Sequence, residues 1–260
     1  MCRPQDAHGD IQAKDKDCLI DSGRQTMKRL LVLGAVAALI AVTAISVFAD
    51  HGSLAGRWHL NSVEDGSTAD SSDHGGTGAV TGASVVKGRF GNALHFDGTT
   101  YVSIPDSDVL DISEGTWEAW LRFDALPSSA GIMNPLAKAF QYWIHGSSAD
   151  EIRVKIEVGG IRYEATTATS FIVTDVWYHV AGTYDGETLK LYVDGVEVDT
   201  NEVPSGPIQT TTNILAIGTW SSLVDFFRGD VDEVRVWTCA LPASEIARHA
   251  RSNAASRASC

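Results

Sequence analysis

Residues 177–195 constrain this chain more than any other stretch. They read Trp-Tyr-His-Val-Ala-Gly-Thr-Tyr-Asp-Gly and then Glu-Thr-Leu-Lys-Leu-Tyr-Val-Asp-Gly. Two runs rich in β-branched and aromatic residues meet at one Asp-Gly corner, and the second run ends in another. Glycine accepts the positive φ of a tight turn, so Asp-Gly between alternating apolar runs signals a β-hairpin. Similar short runs recur at 93–96, 101–104, 116–123, 142–145, 152–158, 161–165, 214–218 and 226–237, with Gly, Asp, Asn or Ser at nearly every break. Spacing of roughly ten residues predicts an all-β sandwich or barrel built from antiparallel strands.

The run 116–123 alternates cleanly. Trp117, Ala119, Leu121 and Phe123 fall on one face, and Thr116, Glu118, Trp120 and Arg122 on the other. The first row is core. The second, a large aromatic among charges, reads as a solvated or ligand-facing surface. The one helix expected is short and terminal: Pro242 suits a first turn, and Glu245 and Arg248 sit where the helix dipole favours them. No linker divides the chain from Leu54 onward, so 54–251 reads as one domain. Residues 252–260 read as a disordered tail.

The amino-terminal part has a different character. Met27-Lys28-Arg29 precedes an uncharged apolar run at 30–48, and Val47 and Ala49 supply small residues before Asp50. This is the pattern of a secretory signal over 27–49, cut after Ala49, with 1–26 an unstructured extension ahead of a start at Met27. The run also reaches the ~18 residues that span a bilayer, which leaves an uncleaved anchor through 30–48 as the rival. The first reading makes the protein secreted or cell-surface, the second membrane-anchored. In both, everything after Asp50 is exported. The first 49 residues hold six of the 20 Lys/Arg and five of the 33 Asp/Glu, leaving 14 basic against 28 acidic residues. So acidic a chain disfavours a nucleic-acid backbone or an anionic membrane surface as partner. In an oxidising compartment Cys239 and Cys260 either pair in a disulfide or remain a buried and a free thiol.

Four blocks match a family pattern. Gly88-Arg89-Phe90-Gly91-Asn92-Ala93-Leu94-His95-Phe96-Asp97-Gly98 is similar to its opening G-x-x-G-x-A-L-x-F-D-G, and 116–122 to its T-x-x-A-W-L strand. Residues 177–195 resemble W-x-H-V-A-x-T-Y-D-G followed by L-Y-V-D-G. Residues 227–237 with Ala240-Leu241 resemble F-x-G-x-I-D-E-V-R-I-Y followed by A-L. In this order they resemble the laminin-G-like jelly roll of the concanavalin A-like lectin/glucanase superfamily. The resemblance implies two antiparallel sheets packed face to face. It also implies a role in adhesion or carbohydrate binding, some relatives being glycosidases.

The resemblance further implies a structural Ca²⁺ held by Asp232 in the last long strand, the Asp97-Gly98 loop and the segment 61–64 beginning at Asn61. Hard cations take several oxygen ligands at about 2.3–2.6 Å. The alternative for Asp232 is a carboxylate paired with Arg235 or capping backbone amides. Asp70-Ser71-Ser72-Asp73-His74-Gly75-Gly76 lacks the closing Glu of an EF-hand and reads as a turn. Trp220, Trp120, Trp143, Tyr142 and Tyr163 are candidate sugar-stacking residues, with core packing as the alternative. Trp220, in a Gly-Thr-Trp-Ser-Ser stretch, is the foremost of these. The histidines show no zinc-binding spacing, and no strand carries the alternating acids that a glycosidase cleft needs. The expected role is therefore an exported, non-catalytic module binding a glycan or an extracellular glycoprotein. A structural or adhesion domain of the cell envelope without a sugar site is the alternative, and an exported glycosidase ranks behind both.

Overall fold

Both Asp-Gly corners close hairpins. In the computed structural model, which describes residues 54–252 apart from 73 and 75, strand β12 (Trp177–Tyr184) turns into β13 (Thr188–Val193) and β13 into β14 (Val196–Glu202). At the second corner Asp194 and Gly195 have φ of 51° and 81°. Two consecutive positive values define the turn whose twist matches that of paired strands. A side chain at position 195 would also run into the backbone of Ala247.

Sixteen strands among the described residues form two antiparallel sheets. The first runs β14-β13-β12-β7-β16-β5-β4, from β7 (Gly115–Phe123) and β16 (Arg228–Trp237) at its centre to β5 (Asn92–Asp97) and β4 (Ser84–Lys87) at its edge. The ten-residue β16 shares one side between two partners, pairing with β5 over 228–231 and with β1 (Leu54–Trp58) over 234–237. Where the partner changes, the register against β7 slips between Asp232 and Arg235, and Glu233 takes a φ of 49°. This bulge leaves two successive carboxylates, Asp232 and Glu233, on the face away from the core.

The second sheet runs β11-β10-β9-β8-β15-β6-β3-β2, its inner half comprising β15 (Leu215–Ile217), β6 (Tyr101–Ile104), β3 (Gly78–Thr81) and β2 (Ser67–Thr68). Its outer half comprises β8 (Met133–Lys138), β9 (Tyr142–Gly146), β10 (Ile152–Val158) and β11 (Ile161–Thr166). The inward rows of both sheets make one core of buried residues that includes Trp58, Phe96, Trp117, Tyr142, Ile144 and Phe227. The all-β two-sheet sandwich and its short carboxy-terminal helix are as the sequence led us to expect.

The outward row of β7 departs from expectation. Thr116, Glu118 and Trp120 are as buried as the core row. The β4–β5 turn covers Trp120 with Phe90 and Arg89, and the carboxy-terminal segment covers Thr116 and Glu118. Helix α2 (Ala243–His249) packs Ile246 with Leu241, Cys239, Trp237, Tyr192 and Ala181 into a second apolar cluster on that face, α1 being a single turn at Pro127–Ala130. The expectations for 1–49 and for the tail beyond 252, including a Cys239–Cys260 pair, fall on residues outside those described.

Candidate functional site

The outer face of the second sheet is open. Outward positions of β9 and β10 carry Trp143, His145, Arg153 and Lys155, and β11 adds Arg162. Each alternates with an inward residue of the core: Tyr142, Ile144, Val154 and Ile156. Two loops wall this surface, one presenting Phe140 and the other Trp220, to make a groove of about 490 Å³. That volume suits a small ligand or part of a longer one.

The aromatic end of the groove is built rigidly. Trp220 meets Trp143 edge to face at 5.2 Å and Phe140 at 5.6 Å. Its loop is tied by backbone bonds from Trp220 N–H to Val224 and from Leu223 N–H to Trp220. The Thr219 hydroxyl also donates to the Val224 carbonyl, and the Ser221 hydroxyl to that of Ile214. Phe140, Leu223 and Asp225 all hold φ between 54° and 63° without being glycine. Such costly conformations concentrate where a surface is shaped for a partner. Phe140, Leu223 and Val224 stay more than two-fifths exposed, so apolar area is left uncovered at the rim.

The polar end carries cations. Arg153 bridges Glu151 and Glu164, and Lys155 pairs with Glu164 at 3.1 Å. Arg162 is exposed, its guanidinium lying 5.0 Å from the centroid of the Trp143 ring. Burial, followed by the charges of Lys155 and Arg153, pushes His145 down to about 3. This imidazole is therefore neutral near pH 7, and its Nδ1 lies 3.2 Å from Asn134 Oδ1. Among the described residues, Asp225 is the single carboxylate lining the groove.

Residues 96–247, more than half of the chain, match the family described as the concanavalin A-like lectin/glucanases superfamily. The chain belongs to that superfamily. Its fold is shared at low identity by several solved structures. Domain 4 of AbnA, a GH43 extracellular arabinanase from Geobacillus stearothermophilus, is 20% identical, with a TM-score of 0.61 over 78% of this chain and all of that one. The binding domain of Paraclostridial Mosquitocidal Protein 1 is 15% identical, with a TM-score of 0.61 over 77% of this chain and 52% of that one. The binding domain of botulinum neurotoxin serotype D is 10% identical, with a TM-score of 0.60 over 76% and 50%. Among curated proteins, mouse pappalysin-1 is 35% identical over 74 residues, 27% of this chain and only 4% of that protein's length.

Within this superfamily member the candidate stacking residues separate. Trp220 and Trp143 meet in the groove, Trp220 half-buried at its wall and Trp143, 2% exposed, as its floor. Tyr142 belongs to the core instead: its ring lies 5.6 Å from that of Trp117, and its hydroxyl donates to the Leu110 carbonyl. The strand alternation that sends Trp143 outward sends Tyr142 inward, and Tyr163 packs against the same core. Trp120 is on the other sheet, 3% exposed beneath Phe90 and the Arg89 guanidinium, which lies 4.7 Å from its ring. It therefore takes no part in the groove.

The four expected calcium ligands also separate. Asp97 pairs with Arg228, four residues along β16 from Asp232, or about 13 Å at the usual strand rise. Asp97 there receives the Thr99 amide and hydroxyl, and Arg228 packs over Gly98. Asn61 and Asp232 instead both hold the β4–β5 turn. Asn61 Oδ1 accepts from Asn92 N–H and its carbonyl from Asn92 Nδ2, while Asp232 Oδ2 accepts from Phe90 N–H at 2.8 Å. The Oδ1 of Asp232 is buried without a hydrogen-bond donor, and burial pushes this carboxyl up to about 7. One more acidic cluster, His95 with Asp124 and Asp230, is occupied by Arg122, whose Nε donates to Asp230 Oδ2 at 2.7 Å.

Sequence reasoning missed Phe140, Arg153, Lys155, Arg162 and His145. Charges at 153, 155, 162 and 164 recur with a period of two, and that was the available signal for an outward row.

Proposed function

We propose that the chain is an exported, non-catalytic module that binds an oligosaccharide in the groove on β8–β11. The observation that carries this reading is the fixed aromatic pair Trp220 and Phe140 standing beside polar side chains on an open face. Aromatic rings offer apolar area to the C–H faces of a sugar, and a few placed polar groups take its hydroxyls. Asn134, Ser148, Asp225 and neutral His145 supply such groups. The arabinanase domain of similar fold was solved in complex with arabinotriose, which is consistent with sugar recognition on this kind of sandwich. A retaining or inverting glycosidase needs two carboxylates facing each other across the sugar. Among the described residues the groove wall presents one carboxylate, Asp225, and Glu151 and Glu164 are engaged by Arg153.

Glycan-array screening of the mature chain tests the reading. The expected result is binding that Trp220→Ala removes and Trp120→Ala, if folded, retains. Binding unchanged in Trp220→Ala would place the site elsewhere.

Calcium is a separable part of the proposal. Asp232, whose buried Oδ1 lacks a donor, is the expected ligand on which this part of the proposal rests. Calorimetry with Ca²⁺ on chelator-treated protein, wild type against Asp232→Asn, tests this. Absence of heat and of thermal stabilisation in the wild type would remove the metal from the reading.

A further inference from the structure

The groove holds more cationic charge than a neutral sugar requires. Thirteen Lys and Arg residues are spread over 54–252 of this acidic chain, and three of them, Arg153, Lys155 and Arg162, meet on one small surface. Arg153 and Lys155 are matched by Glu151 and Glu164. Among the described residues, no carboxylate lies within 4.0 Å of Arg162. It rests on the Trp143 face, which orients a guanidinium by cation–π attraction and leaves its N–H edge free to donate.

We infer that the groove selects oligosaccharides bearing an anionic substituent, a uronate carboxylate or a sulfate ester, which Arg162 pairs while Trp220 contacts the sugar ring. The two ends of the groove differ in the required sense. Asp225 stands in the Trp220 loop, where hydroxyl groups can donate to it, whereas Lys155 and Arg153 flank the Arg162 end. An arginine fork meets a planar carboxylate or a sulfate through two parallel hydrogen bonds, a geometry that neutral hydroxyls do not reward equally. Burial is the main cause of the lowered His145 pKa, and the charges of Lys155 and Arg153 add to it in the same sense.

This inference rests on the groove being the sugar site, and its test separates the two. Binding of the full mature chain is measured by calorimetry against oligogalacturonate and its methyl ester, and against dextran sulfate and dextran. The first pair isolates a carboxylate and the second a sulfate. The expected result is that one acidic probe binds about tenfold or more tightly than its neutral counterpart, and that Arg162→Gln abolishes this ratio. Arg162→Lys should retain part of it, because charge survives and the fork does not. Added salt should weaken the acidic probe selectively. Equal binding of acidic and neutral probes, or an Arg162→Gln variant with unchanged preference, overturns the inference and leaves the oligosaccharide reading standing. Failure of both acidic probes also overturns it. Failure of every glycan on the array removes the oligosaccharide reading as well.

Discussion

The two sheets of this sandwich turn outward faces of similar composition to opposite uses. On the first sheet the outward row of β7 and β16 is covered by α2, by the segment leading into it and by the β4–β5 turn. Its charges are sealed into a network. Glu118 accepts from Arg235 at 2.9 Å and lies 2.8 Å from His249 Nδ1, and Glu233 accepts from both Arg57 and Arg235. On the second sheet the corresponding row on β9, β10 and β11 is covered only in part, and its charges line a groove. Polar alternation along a strand therefore fixes which face a residue takes. Whether that face becomes structural or functional is decided by whatever packs over it.

The largest effect should come from breaking the sealed network. Removing one partner strands the others as buried charges, so Glu118→Ala is expected to cost about 3–5 kcal/mol in urea unfolding. Arg153→Ala, on the open face, should cost less than about 1 kcal/mol. Equal losses would break the comparison between the faces. Tryptophan should follow the same division. Trp120→Ala empties a buried site and is expected to lose roughly 3 kcal/mol of stability with glycan binding intact. Trp220→Ala should lose about 2 kcal/mol of binding energy while the melting temperature barely moves, as for a partly exposed contact residue. Calorimetry and thermal melts on both variants give the two readouts.

These pairs show how far the sequence could be read. Trp120 and Trp143 have the same local signature, a large aromatic on the outward row of a strand. Both are almost fully buried, yet the β4–β5 turn lays Phe90 and Arg89 over Trp120, whereas Trp143 floors the groove beside Trp220. The strands, both Asp-Gly hairpins and the inward row of β7 were legible because each rests on local turn chemistry or on a period of two. The groove was not, because it needs β8–β11 side by side and the Trp220 loop laid across them. Asp97 and Asp232 fall in the first and last of the family blocks, and strand register places them four residues apart along β16. Motif content carries no register.

Titration sharpens the comparison with the smallest effect. On the open face, burial and then Lys155 and Arg153 push His145 from 6.5 to about 3. The unfolded chain therefore binds the extra proton first as the pH falls. The stability gained by keeping this imidazole neutral is full above pH 6.5 and declines toward pH 3. On the covered face Asp232 has the opposite sign: burial pushes it from 3.8 to about 7, so the folded state is protonated first, and stability declines as the pH rises through 4 toward 7. Glu118 is held well below 4.5 by His179 and His249 despite its burial, and contributes loss only at lower pH. Between pH 5 and 6.5 the two slopes oppose each other, each bounded by about 2 kcal/mol. In chelator, His145→Gln should therefore gain stability relative to wild type as the pH is lowered across this window, and Asp232→Asn as it is raised. Urea midpoints at both ends of the window measure each difference, and parallel curves for both variants would show that neither face stores its charge as the geometry indicates.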